Sequence, residues 1–292
     1  MTIWQHIEQE IKKHQGNAFK ISERKSIAGG SINNAFLVSD GTDHYFVKTN
    51  RHQLAYMFAA EIRGLQALYD SNSIQVPEPV GHGVFEHESY AILSWLELAG
   101  RPNSVLFGTK LAQMHQSHAA HFGFDIDNSI GSTPQLNSWS TDWVDFWCKQ
   151  RLGYQLNLAR DNGFGNRLFD LGQSLIERCP AFFSDYQPQP SLLHGDLWSG
   201  NWAGDSQGNP VIFDPATYYG DREAELAMME LFGGPGRAFF DAYHEAYPID
   251  SGYRKRRDFY NLYHILNHAN LFGSSYALQA ENMLESLLAE IR

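Results

Sequence analysis

His194-Gly195-Asp196-Leu197-Trp198-Ser199-Gly200-Asn201, followed at residue 214 by the aspartate that ends Val211-Ile212-Phe213-Asp214, is the stretch that decides how this chain folds and what it does. The Asp-x-x-x-x-Asn spacing puts a carboxylate and an amide on one short loop. The apolar run before Asp214 reads as a strand that carries a second carboxylate to its end. Phosphoryl transfer asks little covalent chemistry of a protein. It needs a carboxylate to orient the attacking hydroxyl and accept its proton, and oxygen donors to hold magnesium on the phosphates. Asp196 suits the first task, and Asn201 with Asp214 the second. Taken singly, Asp196 and Asn201 read as turn caps. With His-Gly ahead of the aspartate, the five-residue offset and a strand ending at Asp214, the catalytic reading prevails.

This layout matches the catalytic loop and metal-binding aspartate of kinases, except that Pro215-Ala216 stands where Phe-Gly is usual. The amino-terminal part supplies the other half of an ATP site. Gly29, Gly30 and Ser31 let backbone N–H groups approach phosphates, although two glycines also make an ordinary turn. Ala35–Val38 and Tyr45–Lys48 read as strands of a hairpin around Ser39-Asp40-Gly41-Thr42. Lys48 closes the second strand. From residue 53 to 70, Leu54, Phe58, Ile62, Leu65 and Leu68 mark one face of a helix that carries Glu61. A lysine in so apolar a strand needs a partner, and Glu61 follows in the order expected of a phosphate-binding lysine held by a helix carboxylate. No G-x-x-x-x-G-K-[ST] occurs, which disfavours a Walker-type NTPase.

At 292 residues, one large domain or two lobes sharing a cleft is expected. The boundary is drawn where Tyr90–Leu96 runs into Gly100-Arg101-Pro102, giving residues 1–97 as an ATP-binding lobe and 98–292 as a catalytic and substrate-binding lobe. Ahead of the strands, Thr2 caps a helix in which Trp4, Ile7 and Ile11 share a face, ending near Gly16. Beyond the boundary helices dominate, over 104–118, 141–161, 168–177, 223–232, 254–271 and 275–291. They are interrupted by short strands at Leu192–His194 and Val211–Asp214. The fold class is therefore α/β (α+β), with a small β-rich lobe and a larger, mainly helical one. A net charge of −11 would repel nucleic acid and anionic membranes. The first residues lack the basic stretch and apolar core of a secretory signal, so a cytoplasmic location is expected. Cys148 and Cys179 form no CxxC and read as reduced structural thiols.

His115, His118 and His121, and His264 with His268, have helical spacings that zinc sites use. Neither set carries H-E-x-x-H or nearby cysteines, so packed or solvated imidazoles are expected. Arg254-Lys255-Arg256-Arg257 reads as a solvated helix start, and Gly233–Gly236 as a helix stop. Trp198, Tyr218, Tyr219 and Asp221 offer an aromatic surface for a sugar and a carboxylate for its amine. Packing of the same aromatics in the core is an equal alternative. Glu223 and Glu225 are expected in helix-start and scaffold roles.

Taken together, AGGSINNAF, YFVKTN, MFAAEIRGL, HGDLWSGN and FDPATYYGDREAELAM resemble the fructosamine kinase (ketosamine 3-kinase) family, within the aminoglycoside phosphotransferase and protein-kinase-like superfamily. The resemblance spans nearly the whole chain, and the octamer HGDLWSGN is its most specific part. It implies a bilobal kinase-like fold and ATP- and Mg2+-dependent phosphorylation of the sugar 3-hydroxyl of ketosamines, on small amines or glycated proteins. An aminoglycoside or choline kinase is the competing enzyme. A catalytically silent nucleotide-binding scaffold is disfavoured, because Lys48, Glu61, Asp196, Asn201 and Asp214 are all present.

Overall fold

The computed structural model describes residues 1–16, 18–27 and 33–291, so Gly29, Gly30 and Ser31 lie outside the described residues. The chain opens with α1 (Ile3–Gln15), closed at its N-terminus by a reciprocal Thr2–Gln5 capping box and at its C-terminus by Gly16 at φ +70°. β1 (Glu23–Ile27), β2 (Asn34–Ser39) and β3 (His44–Arg51) follow, then α2 (Ala55–Asp70), β4 (Pro79–Phe85) and β5 (Glu88–Ser94). The strands form an antiparallel sheet in the order β1-β2-β3-β5-β4.

Alternation along β3 divides its residues between two environments. Tyr45 and Val47 join Ile3, Ile7 and Ile11 of α1 in a buried apolar cluster. Phe46 and Lys48 point the other way, into a cleft. A lysine in an apolar strand thus reaches the site because of its parity in the sequence.

Residues 95–103 join this sheet to the helical part, and backbone bonds pin the connection. Ala99 N–H donates to the Gly204 carbonyl at 2.6 Å, and Asn103 N–H to that of Gly208 at 2.9 Å. Leu65, Leu68, Ile74, Val76 and Leu93 share one apolar cluster with the helical part's core, so packing continues across residues 97 and 98.

The helical part begins with α3 (Ser104–His115), the hairpin β6 (Asn128–Ile130) and β7 (Thr133–Gln135), and α4 (Trp143–Trp147). A π-helical segment (Cys148–Gly153) leads into α5 (Tyr154–Asp161) and α6 (Asn166–Arg178). Next come β8 (Ser191–Leu193), β9 (Trp202–Gly204), β10 (Pro210–Ile212) and β11 (Tyr218–Gly220). The chain finishes with α7 (Arg222–Leu231), α8 (Arg237–Ala246), α9 (Tyr253–Phe272) and α10 (Ser274–Glu290). Among the described residues no helix is long and apolar enough to cross a membrane.

Three departures from the sequence expectations have physical causes. α3 stops at His115 rather than His118, because Ser117 turns its carbonyl to the Leu192 N–H at 2.8 Å and so meets β8. The helix expected over 141–161 starts at Asp142, which caps it, and widens into the π-helical segment. In that segment Arg151 is fully buried under Phe146 and Tyr218, with its guanidinium 4.3 Å from the Tyr218 ring. The basic run is only partly solvated: Arg256 is buried, and its Nε donates to Glu223 Oε2 at 2.7 Å. Cys148 and Cys179 lie buried side by side as free thiols.

Candidate active site

β8 delivers the catalytic loop, and α7 fixes it from below. Gly195 has φ +84°, and any side chain there would collide with the Ala216 carbonyl, so only glycine fits. The buried Glu225 carboxylate accepts the His194 N–H at 3.2 Å and the Gly195 N–H at 2.6 Å. His115 Nε2 donates to the same carboxylate at 2.9 Å. Burial alone would raise the Glu225 carboxyl, but the His115 bond and the backbone donors bring it below its usual range, so the anchor is an anion. Burial lowers both His115 and His194. The neutral His194 ring donates from Nε2 to the Phe213 carbonyl at 2.9 Å and accepts the Asp196 N–H on Nδ1 at 3.3 Å. The conspicuous histidine of the motif is therefore structural, tying the Asp196 loop to the strand end at Phe213.

Above this base the charged groups meet. Lys48 Nζ lies 2.7 Å from Glu61 and 2.6 Å from Asp214. Burial of Lys48 opposes its charge, but the two carboxylates outweigh it and hold the ammonium protonated well above the ordinary lysine range. Asn201 Nδ2 donates to the Asp196 carbonyl at 2.8 Å and to its carboxylate at 3.2 Å. Burial, and after it the Asp214 charge, pushes the Asp196 carboxyl up to about 8 against the opposing Asn201 bond. Lys48, Asp196, Asn201 and Asp214, four residues scattered from 48 to 214, thus line one cleft of about 570 Å³. The donor set fits magnesium. Asp214 keeps half of its side-chain surface exposed, and Asn201, which lines the same cleft, carries an amide oxygen as a second hard donor.

The proposed substrate residues separate. Trp198, 44% exposed, lines the cleft. Tyr218 is buried with its ring against the Arg151 guanidinium, and Asp221 is buried as the N-cap of α7, accepting hydrogen bonds from Tyr186 and Tyr260. Neither is open to an acceptor, so the expected amine-binding carboxylate is instead a structural cap. Tyr219 is half-buried and packs against Trp139 and Phe124, away from the cleft lining.

Sequence reasoning missed one wall. His264, Asn267, His268 and Phe272 of α9, with Tyr276 of α10, line the same cleft as Asp196. His268 stacks on Phe232 at 4.8 Å and donates from Nδ1 to the His264 carbonyl at 2.8 Å. The one signal in the sequence was the His264/His268 pair at helical spacing.

The sequence profile of the fructosamine kinase family matches residues 3–290. A Synechocystis protein named Probable ketoamine kinase is 48% identical over 289 residues, covering 98% of this chain and 97% of its own. The chloroplastic protein-ribulosamine 3-kinase of Arabidopsis thaliana is 43% identical over 282 residues, covering 95% of this chain and 86% of its own. A crystal structure from Haemophilus somnus with a provisional fructosamine-3-kinase name superposes with a TM-score of 0.86 at 30% identity, over 98% of this chain and 100% of that one. The aminoglycoside phosphotransferase APH(4)-Ia, in a complex with AMP-PNP and hygromycin B, shares the fold at TM-score 0.61 and 16% identity over 97% of each chain.

Proposed function

The chain belongs to the fructosamine kinase family, and from that premise we propose that it transfers the γ-phosphoryl group of ATP to the sugar 3-hydroxyl of ketosamines, in support of deglycation. The observation that carries this reading is the convergence of Lys48, Asp196, Asn201 and Asp214 on one cleft with an aromatic wall. Asp196 orients the attacking hydroxyl and takes its proton, while the amide of Asn201 fixes the carboxylate's direction. Lys48, held by Glu61, meets the phosphates as a point charge. Asn201 and Asp214 would hold magnesium, which when bound neutralises charge on the transferring phosphate. Trp198 and the α9–α10 wall exclude water and offer flat apolar faces to a sugar and its amine substituent. Residues 1–97 would carry the nucleotide and 98–292 the acceptor, and the buried thiols accord with a cytoplasmic location.

The test is ADP release with ribulosyl-, fructosyl- and erythrulosyl-lysine set against kanamycin and choline. Turnover with one or more ketosamines and none with the other two is expected. Turnover confined to kanamycin or choline would replace this reading with a different small-molecule kinase.

A further inference from the structure

The loop after Asp214 is held by side chains that the phosphoryl-transfer reading leaves unused. Asp214 has φ +57°, a left-handed conformation uncommon for residues with a side chain and best tolerated by Asn and Asp. Just downstream, the Ala216 N–H bonds the His194 carbonyl at 2.9 Å. Gln135 Nε2 donates to the Ala216 carbonyl at 3.1 Å and to Asn128 Oδ1 at 2.8 Å. Asn128 Nδ2 donates in turn to the Thr217 carbonyl at 2.8 Å. Both amides are buried, Gln135 to 1% exposure. At its other end Gln135 Oε1 accepts from the Tyr263 hydroxyl at 2.8 Å, and Tyr263 is the α9 neighbour of the cleft-lining His264. With a donor to satisfy at Tyr263 and carbonyl oxygens at the other end, the amide has a single workable orientation. The α2 helix closes the third side: a Cβ on Gly64 would lie 2.8 Å from Thr217 Oγ1.

We propose that Gln135 is a positioning residue that sets Asp214 for its metal, acting through Asn128 and the Ala216–Thr217 backbone, and that it couples the acceptor wall of α9 to that carboxylate. The inference rests on Asp214 being a metal ligand. Mutation of partners that orient a ligand from outside the coordination sphere typically weakens metal binding about ten- to a hundredfold. Gln135→Met keeps the volume and removes both the donors and the acceptor.

The experiment is a Mn2+ titration followed by electron paramagnetic resonance on the full chain, in the presence of a non-hydrolysable ATP analogue, for wild type, Asp214→Ala and Gln135→Met. The analogue's affinity without metal is measured in parallel. Asp214→Ala should lose the bound Mn2+, and Gln135→Met should weaken it about tenfold while metal-free analogue binding stays unchanged. If Asp214→Ala binds Mn2+ like wild type, the metal reading falls and the inference with it. If Asp214→Ala loses Mn2+ and folded Gln135→Met keeps wild-type affinity, the inference alone is overturned. Should Gln135→Met not fold, Tyr263→Phe, which removes only the hydroxyl, must show a smaller loss of Mn2+ affinity, and wild-type affinity there overturns the proposal.

Discussion

The wall of the cleft built by β3 and the Asp196 and Asp214 loops is a closed polar circuit, in which Lys48 bridges two carboxylates and Asn201 grips Asp196. The wall built by α9 and α10 is a set of rings and amides with an open edge, Phe272 being 67% exposed. The first wall has to place charge to within tenths of an ångström, and few residue types at few spacings can do that. The second has to present a surface to an acceptor, and many sequences can.

The polar wall should yield the largest effect. Asp196→Asn keeps the shape and the Asn201 contact but loses the proton acceptor, so kcat should fall by about a hundred- to ten-thousand-fold while calorimetry finds Mg-ATP affinity unchanged. Turnover within a few fold of wild type would transfer the base role elsewhere and erase the distinction between the walls.

This asymmetry explains what was legible. Asp196, Asn201 and Asp214 were readable through their mutual spacing around two short strands, Lys48 because a charge in so apolar a strand needs a partner, and Glu61 because it follows on the next helix, and the structure brings all five together. The aromatic wall was not readable. His264, Asn267 and Phe272 sit within a helix pattern whose periodicity shows that a face is buried, not that it faces a cleft. Asp221 misled for a related reason: a carboxylate beside two tyrosines looks like a ligand site, while its position at N-cap of α7 makes it a structural acceptor. β1, β4 and α8 were missed in the fold, β1 because its ERKSI sequence has almost no apolar face, β4 because Pro79, Gly81 and Gly83 interrupt its apolar residues, and α8 because a glycine-rich break precedes it; the three-residue strands β6, β7, β9 and β11 are too short to show a period.

The walls should also titrate with opposite signs. His264 is pushed down to about 3, chiefly by burial. Its stabilising share is complete above the unfolded value near 6.5 and is lost as pH falls from there toward 3, so wild type should lose about 2 kcal/mol relative to His264→Met between pH 7 and pH 5. Asp196 is raised to about 8, so its share is lost as pH rises through 8, and wild type should gain relative to Asp196→Asn over the same drop in pH. Urea midpoints of the three proteins at the two pH values decide it. A shift of equal sign in both comparisons would contradict the assignment of a neutral imidazole to one wall and a raised carboxyl to the other.

The smallest effect belongs to the rim. Phe272→Ala removes an exposed ring without opening the core, so the acceptor KM should rise about fivefold with kcat and the ATP KM unchanged. An effect on the ATP KM instead would place the nucleotide, and not the acceptor, against α9.

The most direct test of the account is a phosphorus NMR time course with ribulosyl-lysine, Mg-ATP and the enzyme, run beside Asp196→Asn and paired with amine analysis. Phosphate on O3 of a ketosamine sits on the carbon next to the C2 ketone. In the C1–C2 enaminol form the electron pair can expel phosphate from C3, after which hydrolysis frees the amine. The account predicts ADP formation with wild type, then inorganic phosphate and free lysine after a lag, and all of these about a hundredfold slower or more with Asp196→Asn. No ADP from any ketosamine, or equal rates for the two proteins, would contradict it.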